Sequence, residues 1–292
     1  MKREIDQVVS GSAAVDGAGV RLVRVLGRPT VTDFDPFLML DCFESDDADD
    51  YIGGFPTHPH RGFETVTYLL NGRMRHKDNA GHEGVIESGG VQWMTAAKGI
   101  LHSEMPEQQE GLLKGFQLWV NLPASAKMSE PAYQEYAPDA TPLERRDDGT
   151  EIRVIAGQTN QGTVGPVVND YTYPTYMDVS LPANTDFEQT LPVAHTAFIY
   201  MIEGDIRVQA NEQDSDTALD ERTVRNNTLT SKNLGVLGAG DQLVVHSGDE
   251  GARFLLVAGQ PLHEPVARGG PFVMNTRAEV LQAFQDFQSG HF

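Results

Sequence analysis

Residues 53–106 read GGFPTHPHRGFETVTYLLNGRMRHKDNAGHEGVIESGGVQWMTAAKGILHSEMP. Apolar and polar positions alternate through ETVTYLLNGRMRH (64–76), and VIESGGVQWMTAAKG (85–99) carries a Gly-Gly turn before another apolar run. A period of two punctuated by glycine predicts short antiparallel strands, and with no helix-period segment between the runs a parallel βαβ sheet is disfavoured. Two paired motifs lie in the same stretch: His58 and His60 flank Pro59, and His102 and Glu104 flank Ser103. Residues two apart on a strand share a face, so each pair aims two donors to one side. On neighbouring strands of a barrel the pairs would converge as three imidazoles and one carboxylate, a set that suits a divalent first-row metal. Either pair alone is a weak signal. Their matching contexts, each just after a turn (GGFP and AAKG), strengthen it. Pro59 has no N–H to give a ladder, which puts its segment at a strand's start or edge.

Similar runs continue on both sides, among them VRLVRVLG, GLLKGFQLWVNLP and EIRVIAG. After the polar, proline-bearing SEPAYQEYAPDATPLERRDDGTE a second series begins: TYMDVSLP, HTAFIYMIEGDIRV, LGVLGAGDQLVVHSG and ARFLLVAGQP. The halves read as diverged copies of one architecture. ETVTYLLNGRMRH and TAFIYMIEGDIRV each suggest a strand, an Asn-Gly or Glu-Gly turn and a returning strand. The expected fold is all-β, two antiparallel β-barrels with a boundary inside residues 128–150, giving domains 1–137 and 138–292. ANEQDSDTALDERTVRNN (210–227) reads as an exposed loop. At the C-terminus, Thr276 and Glu279 form a capping-box pattern, Val280, Leu281, Phe284 and Phe287 are expected on one helical face, and Gly290 follows the end.

Bulk properties narrow the function. The 292 residues carry 42 acidic against 22 basic side chains, a formal charge of −20, which argues for a solvated acidic surface and against direct nucleic-acid binding. A single cysteine, Cys42, excludes an intramolecular disulfide and a multi-cysteine zinc site. Neither a secretory signal nor a membrane-length apolar run is apparent, so the expectation is a cytoplasmic protein without a membrane partner. His76, His82, His195, His246, His263 and His291 lack a comparable pairing and read as surface or satisfied core residues.

The 53–106 stretch, the preceding DFDPFLMLDCFE and the tail PLHEPVARGGPFVMNTRAEVLQAFQDFQSGHF together resemble the pirin family of the cupin superfamily. The resemblance covers nearly the whole chain and implies a bicupin of jelly-roll type with a metal in the N-terminal barrel only. It implies His58, His60, His102 and Glu104 as ligands of one divalent metal, Fe(II) first, with Mn, Co, Ni, Cu or Zn as alternatives. The general cupin pattern would instead use Glu64, which becomes a supporting residue or a substitute ligand. Cys42 stands where the family suggests a polar residue, and the expectation is a buried small side chain.

Bacterial pirin-like proteins resemble quercetinases, so the resemblance implies a dioxygenase acting on a flavonol-like substrate with dioxygen, Glu104 serving as ligand and general base. Phe55, Met94, Phe116 and Trp119 are candidate pocket walls. The competing reading is a metal- and redox-responsive regulatory protein that binds a partner protein, for which the acidic surface suits a basic partner. A purely structural metal is disfavoured, because closed structural sites favour thiolates. An open route from solvent to the metal would discriminate in favour of the enzyme.

Overall fold

The computed structural model describes residues 1–27, 34–211 and 227–292. Strands dominate, and the chain divides into two compact units, each an antiparallel jelly-roll barrel. One unit joins Ser12–Ala140 to Leu262–Phe292, and the other joins Met1–Gly11 to Thr141–Pro261. These are not the contiguous spans 1–137 and 138–292. The strand Ile5–Ser10 pairs with Asn233–Leu237, and the C-terminal tail hydrogen-bonds around Arg61. Long-range pairing, which local pattern does not encode, makes this exchange. Most of the loop expected over residues 210–227 lies outside the described residues.

The Ser12–Ala140 unit contains a seven-stranded sheet in the order Ala132–Tyr136, Val91–Thr95, Phe63–Asn71, Leu113–Asn121, Phe37–Ser45, Val20–Leu26 and Ser12–Asp16. A four-stranded sheet follows the order Phe55–His60, Ile100–Pro106, Arg73–Asp78 and Glu83–Glu87. Leu22, Phe43 and Leu69 of the first sheet pack with Met74 and Ile86 of the second. Full burial of each such side chain contributes about 1.5–3 kcal/mol. Pro59 lies on the edge strand of the four-stranded sheet, where its missing N–H costs no ladder bond.

The Asn71-Gly72 pair does not close a hairpin. Phe63–Asn71 stays in one sheet and Arg73–Asp78 enters the other, so the chain turns a corner at Gly72. Gly72 adopts φ +97°, and a Cβ there would sit 2.6 Å from Gln108 Oε1 and 2.7 Å from Leu113 Cδ1. At the matching place in the other unit, Thr196–Val208 is one continuous strand through Gly204, at φ +70°. A Cβ on Gly204 would lie 2.1 Å from the Gly251 carbonyl of the paired strand Gln242–Gly259. Both expected hairpins are bends, because each strand finds its partner elsewhere in the chain.

Among the described residues of the Thr141–Pro261 unit, nine strands form one sheet around an apolar core that includes Ile199, Met201, Ile206, Val208, Phe187 and Phe254. His195 is buried and its carbonyl accepts from Arg3, while His246 pairs with Asp186.

The C-terminal helix spans Arg277–Gln288 with both capping-box bonds in place, and Gly290 follows it at φ +74°. Val280 and Ala283 are buried, and the Phe284 ring meets Phe272 at 4.9 Å. Leu281, expected on this face, is 62% exposed. One residue beyond Val280 is about 100° further round the helix, which turns Leu281 away. No helix among the described residues is long and apolar enough to cross a membrane.

Candidate metal centre

His58 and His60 leave the edge strand on one face, and His102 stands directly opposite His58 on Ile100–Pro106. Strand parity therefore brings three imidazoles together, with ring centroids 4.5–5.0 Å apart and candidate ligand nitrogens within 4.8 Å of one another. The pairing register shifts between His102 and Glu104, so that Glu104 lies opposite Phe55 rather than the next residue in step. Such a bulge bends one strand and re-aims its side chains.

Neighbours fix each ring. His58 Nδ1 donates to the Pro56 carbonyl at 2.9 Å, which leaves Nε2 with its lone pair free. His58 Nε2 lies 3.0 Å from His60 Nε2. Two nitrogens each about 2.1 Å from a cation, at about a right angle, are spaced this way. His102 is buried, and neither of its ring nitrogens has a hydrogen-bond partner. Burial, followed by the neighbouring imidazoles of His102 and His58, pushes His60 well below the ordinary imidazole value. Burial, then His58 and His76, holds His102 at about 3 against the opposing pull of Asp78. Both rings are neutral near pH 7, as coordination requires. An orphaned buried imidazole among neutral lone pairs fits a divalent cation.

Glu104 is buried on the same strand face as His102, but its carboxylate is not gathered with the three nitrogens. Oε1 accepts from the Thr67 hydroxyl at 2.9 Å. Thr67 Oγ1 also lies 2.6 Å from the Gln117 side-chain amide. That neighbour is Gln117 Oε1, so the single Thr67 proton faces two acceptors, and turning the Gln117 amide over would let its NH2 donate to Thr67 while Thr67 donates to Glu104. Glu64 is buried and accepts from Thr95 at 2.7 Å, outside the imidazole group. Cys42 is buried, as expected.

A cavity of about 750 Å³ reaches from the exposed turn at Asp16–Ala18 to His58, His60 and Glu104. Phe55 and Trp119 line it, while Met94 and Phe116 do not. Gln117 and Trp119 share one strand face, so Phe116 points to the other, and Met94 packs with Ala96 and Ile100. The sequence reading missed the polar wall. Arg24 donates to both carboxylate oxygens of buried Asp41, at 2.8 and 2.6 Å, and also reaches Asp16 at 2.9 Å. Burial raises the Asp41 carboxyl, opposed by Arg24.

The C-terminal tail braces the segment that carries the histidines. Buried Arg61, next to His60, donates to the Lys98 carbonyl at 2.5 Å and to Asp286 of the helix at 2.7 Å, and stacks over Phe292. Buried Lys127 spends its three protons on the carbonyls of Gly62 and Val273 and on Asn121.

His76 and His82, read from the sequence as unpaired, come together with Glu135. The spacing rule for a strand could not find them, because a turn separates the two histidines and the carboxylate comes from a distant strand.

Residues 19–120 match the Pirin family, and residues 176–292 match the Pirin C-terminal cupin domain. A pirin-like protein of Caulobacter vibrioides is 52% identical over 290 residues, covering 99% of each chain. Pirin of Homo sapiens is 42% identical over 278 residues, covering 94% of this chain and 88% of its own. A crystal structure of quercetin 2,3-dioxygenase from Acinetobacter baumannii aligns at a TM-score of 0.86 and 32% identity, covering 100% of this chain and 99% of that one.

Proposed function

The chain belongs to the pirin family, and from that premise we propose that it is a metal-dependent dioxygenase that opens flavonols such as quercetin. His58, His60, His102 and Glu104 would hold one divalent cation, Fe(II) first. The observation that carries the reading is the cavity, which runs from solvent to the imidazole group and whose volume of about 750 Å³ suits a flat, drug-sized molecule. A regulatory protein could use the same four residues but would not need such a chamber. The structural likeness to a quercetin 2,3-dioxygenase supports the same substrate class.

A divalent cation bound here supplies Lewis acidity that favours the deprotonated 3-hydroxyl of a flavonol. The remaining work falls to the chain. Phe55 and Trp119 offer apolar faces to the planar rings, and the Arg24–Asp41 pair offers a fixed polar wall for ring hydroxyls. Glu104, at the cavity wall and held by Thr67, accepts the proton of the 3-hydroxyl at a carboxylate oxygen. Burial of His60 and His102 keeps competing water from their lone pairs.

The test is to load metal-free protein anaerobically with Fe(II), add quercetin and then dioxygen, and follow quercetin absorbance and carbon monoxide. One carbon monoxide per quercetin consumed is expected. Absence of turnover with Fe, Mn, Co, Ni and Cu alike would overturn the assignment.

A further inference from the structure

We propose that His76, His82 and Glu135 form a second divalent-cation site, separate from the three-imidazole centre, that ties the two sheets of this barrel together at their edge. The three residues come from different parts of the unit. His76 lies on Arg73–Asp78 of the four-stranded sheet, His82 closes the following turn, and Glu135 lies on Ala132–Tyr136, the edge strand of the seven-stranded sheet. One ligand atom from each lies within 4.8 Å of the other two.

Hydrogen bonding explains part of this cluster but not all of it. His82 Nε2 lies 3.0 Å from Glu135 Oε2, and Gln92 donates to Glu135 Oε1 at 2.5 Å. His76 is buried; its Nε2 contacts Glu135 Oε1, and its Nδ1 has no hydrogen-bond partner. The Glu135 carboxylate stands between two imidazoles, and a cation seated among the three would take a lone pair from each ring and a carboxylate oxygen. Space for one is kept by Gly84, which faces His76 across the strand pair. A Cβ there would fall 2.6 Å from His76 Nε2 and 3.4 Å from Glu135 Oε2.

The surroundings hold the donors in place. Asp78 accepts from the backbone N–H groups of Ala80 and His82, which fixes the turn that carries His82. The Tyr133 ring stacks on His82 with centroids 4.4 Å apart, and the hydrogen bond from Gln92 orients the carboxylate. Two imidazoles and one carboxylate suit a borderline cation such as Zn(II) or Co(II). The His82 side chain is 41% exposed, so such an ion would keep water on its open side and be reachable from solvent.

Stoichiometric titration of the metal-free full-length protein with Co(II) and Zn(II), read by calorimetry and by the visible Co(II) spectrum, tests the assignment. Wild type should bind two equivalents and His82→Ala one. The double variant His58→Ala/His60→Ala should retain one equivalent and lose it when His82→Ala is added. Thermal melting guards against misfolding: Zn(II) should raise the midpoint of the double variant but not that of the triple variant. Equal stoichiometry in wild type and His82→Ala, or a residual equivalent in the double variant that survives His82→Ala, would overturn the proposal.

Discussion

The two barrels place opposite chemistry on equivalent strands. Aligning the corner glycines, Gly72 and Gly204, sets Thr67 against Ile199 and His76 against Val208. In one barrel Thr67 holds Glu104 and His76 faces Glu135. In the other, Ile199 and Val208 belong to a continuous apolar core. Same bend, different interior. The architecture does not depend on polar groups inside, so the barrel that carries them bears a cost in buried, incompletely satisfied imidazoles. In the other barrel one buried nitrogen of His195 is also without a hydrogen bond, so the mark of a functional interior is the gathering of three imidazoles in one place.

The comparison breaks most sharply at His102. His102→Ala should lower metal affinity by more than about 100-fold, since even supporting residues around a metal are worth 10–100-fold. Metal analysis of the purified variant checks this, and unchanged content refutes the ligand assignment.

Acid should then separate the barrels. In the metal-free protein, His60 and His102 titrate below the unfolded imidazole value of about 6.5, His102 at about 3. Between those values the unfolded chain binds more protons, so stability is full above about pH 6.5 and is lost as pH falls toward about 3. At about 1.4 kcal/mol per unit the loss amounts to several kcal/mol. Hydrogen exchange as a function of pH should show the Ser12–Ala140 unit opening first. Simultaneous opening of both units contradicts this account.

Reciprocal exchange sharpens the contrast. Thr67→Val should leave metal content intact and cut turnover by about tenfold, because Glu104 loses its hydrogen bond. Ile199→Thr should cost about 1–3 kcal/mol by placing an unpaired hydroxyl in the apolar core, with no effect on metal content. Denaturant melts and metal analysis distinguish the two. The smallest effect belongs to the tail: Thr276→Ala should cost about 1 kcal/mol by removing the helix cap.

Much of this was legible because it is local. Alternation predicts the strands, parity pairs His58 with His60 and His102 with Glu104, and Thr276 with Glu279 marks the helix start. Asn-Gly and Glu-Gly look alike in a hairpin and in a corner, since glycine supplies the positive φ in both. Only the identity of the partner strand separates them. Phe116 and Trp119 could not be sorted because their strand lies inside a sheet with both faces covered, so apolar side chains appear on each. The exchange of terminal segments, the Arg24–Asp41 pair and the His76–His82–Glu135 cluster all join residues far apart in the chain.

Anomalous diffraction from crystals of the Fe(II)-loaded protein, measured at the iron edge, tests the central claim most directly. The account predicts a peak within bonding distance of His58, His60 and His102 nitrogens, with Glu104 Oε2 swung to meet it while Oε1 keeps its hydrogen bond from Thr67. No peak among the three imidazoles would contradict it.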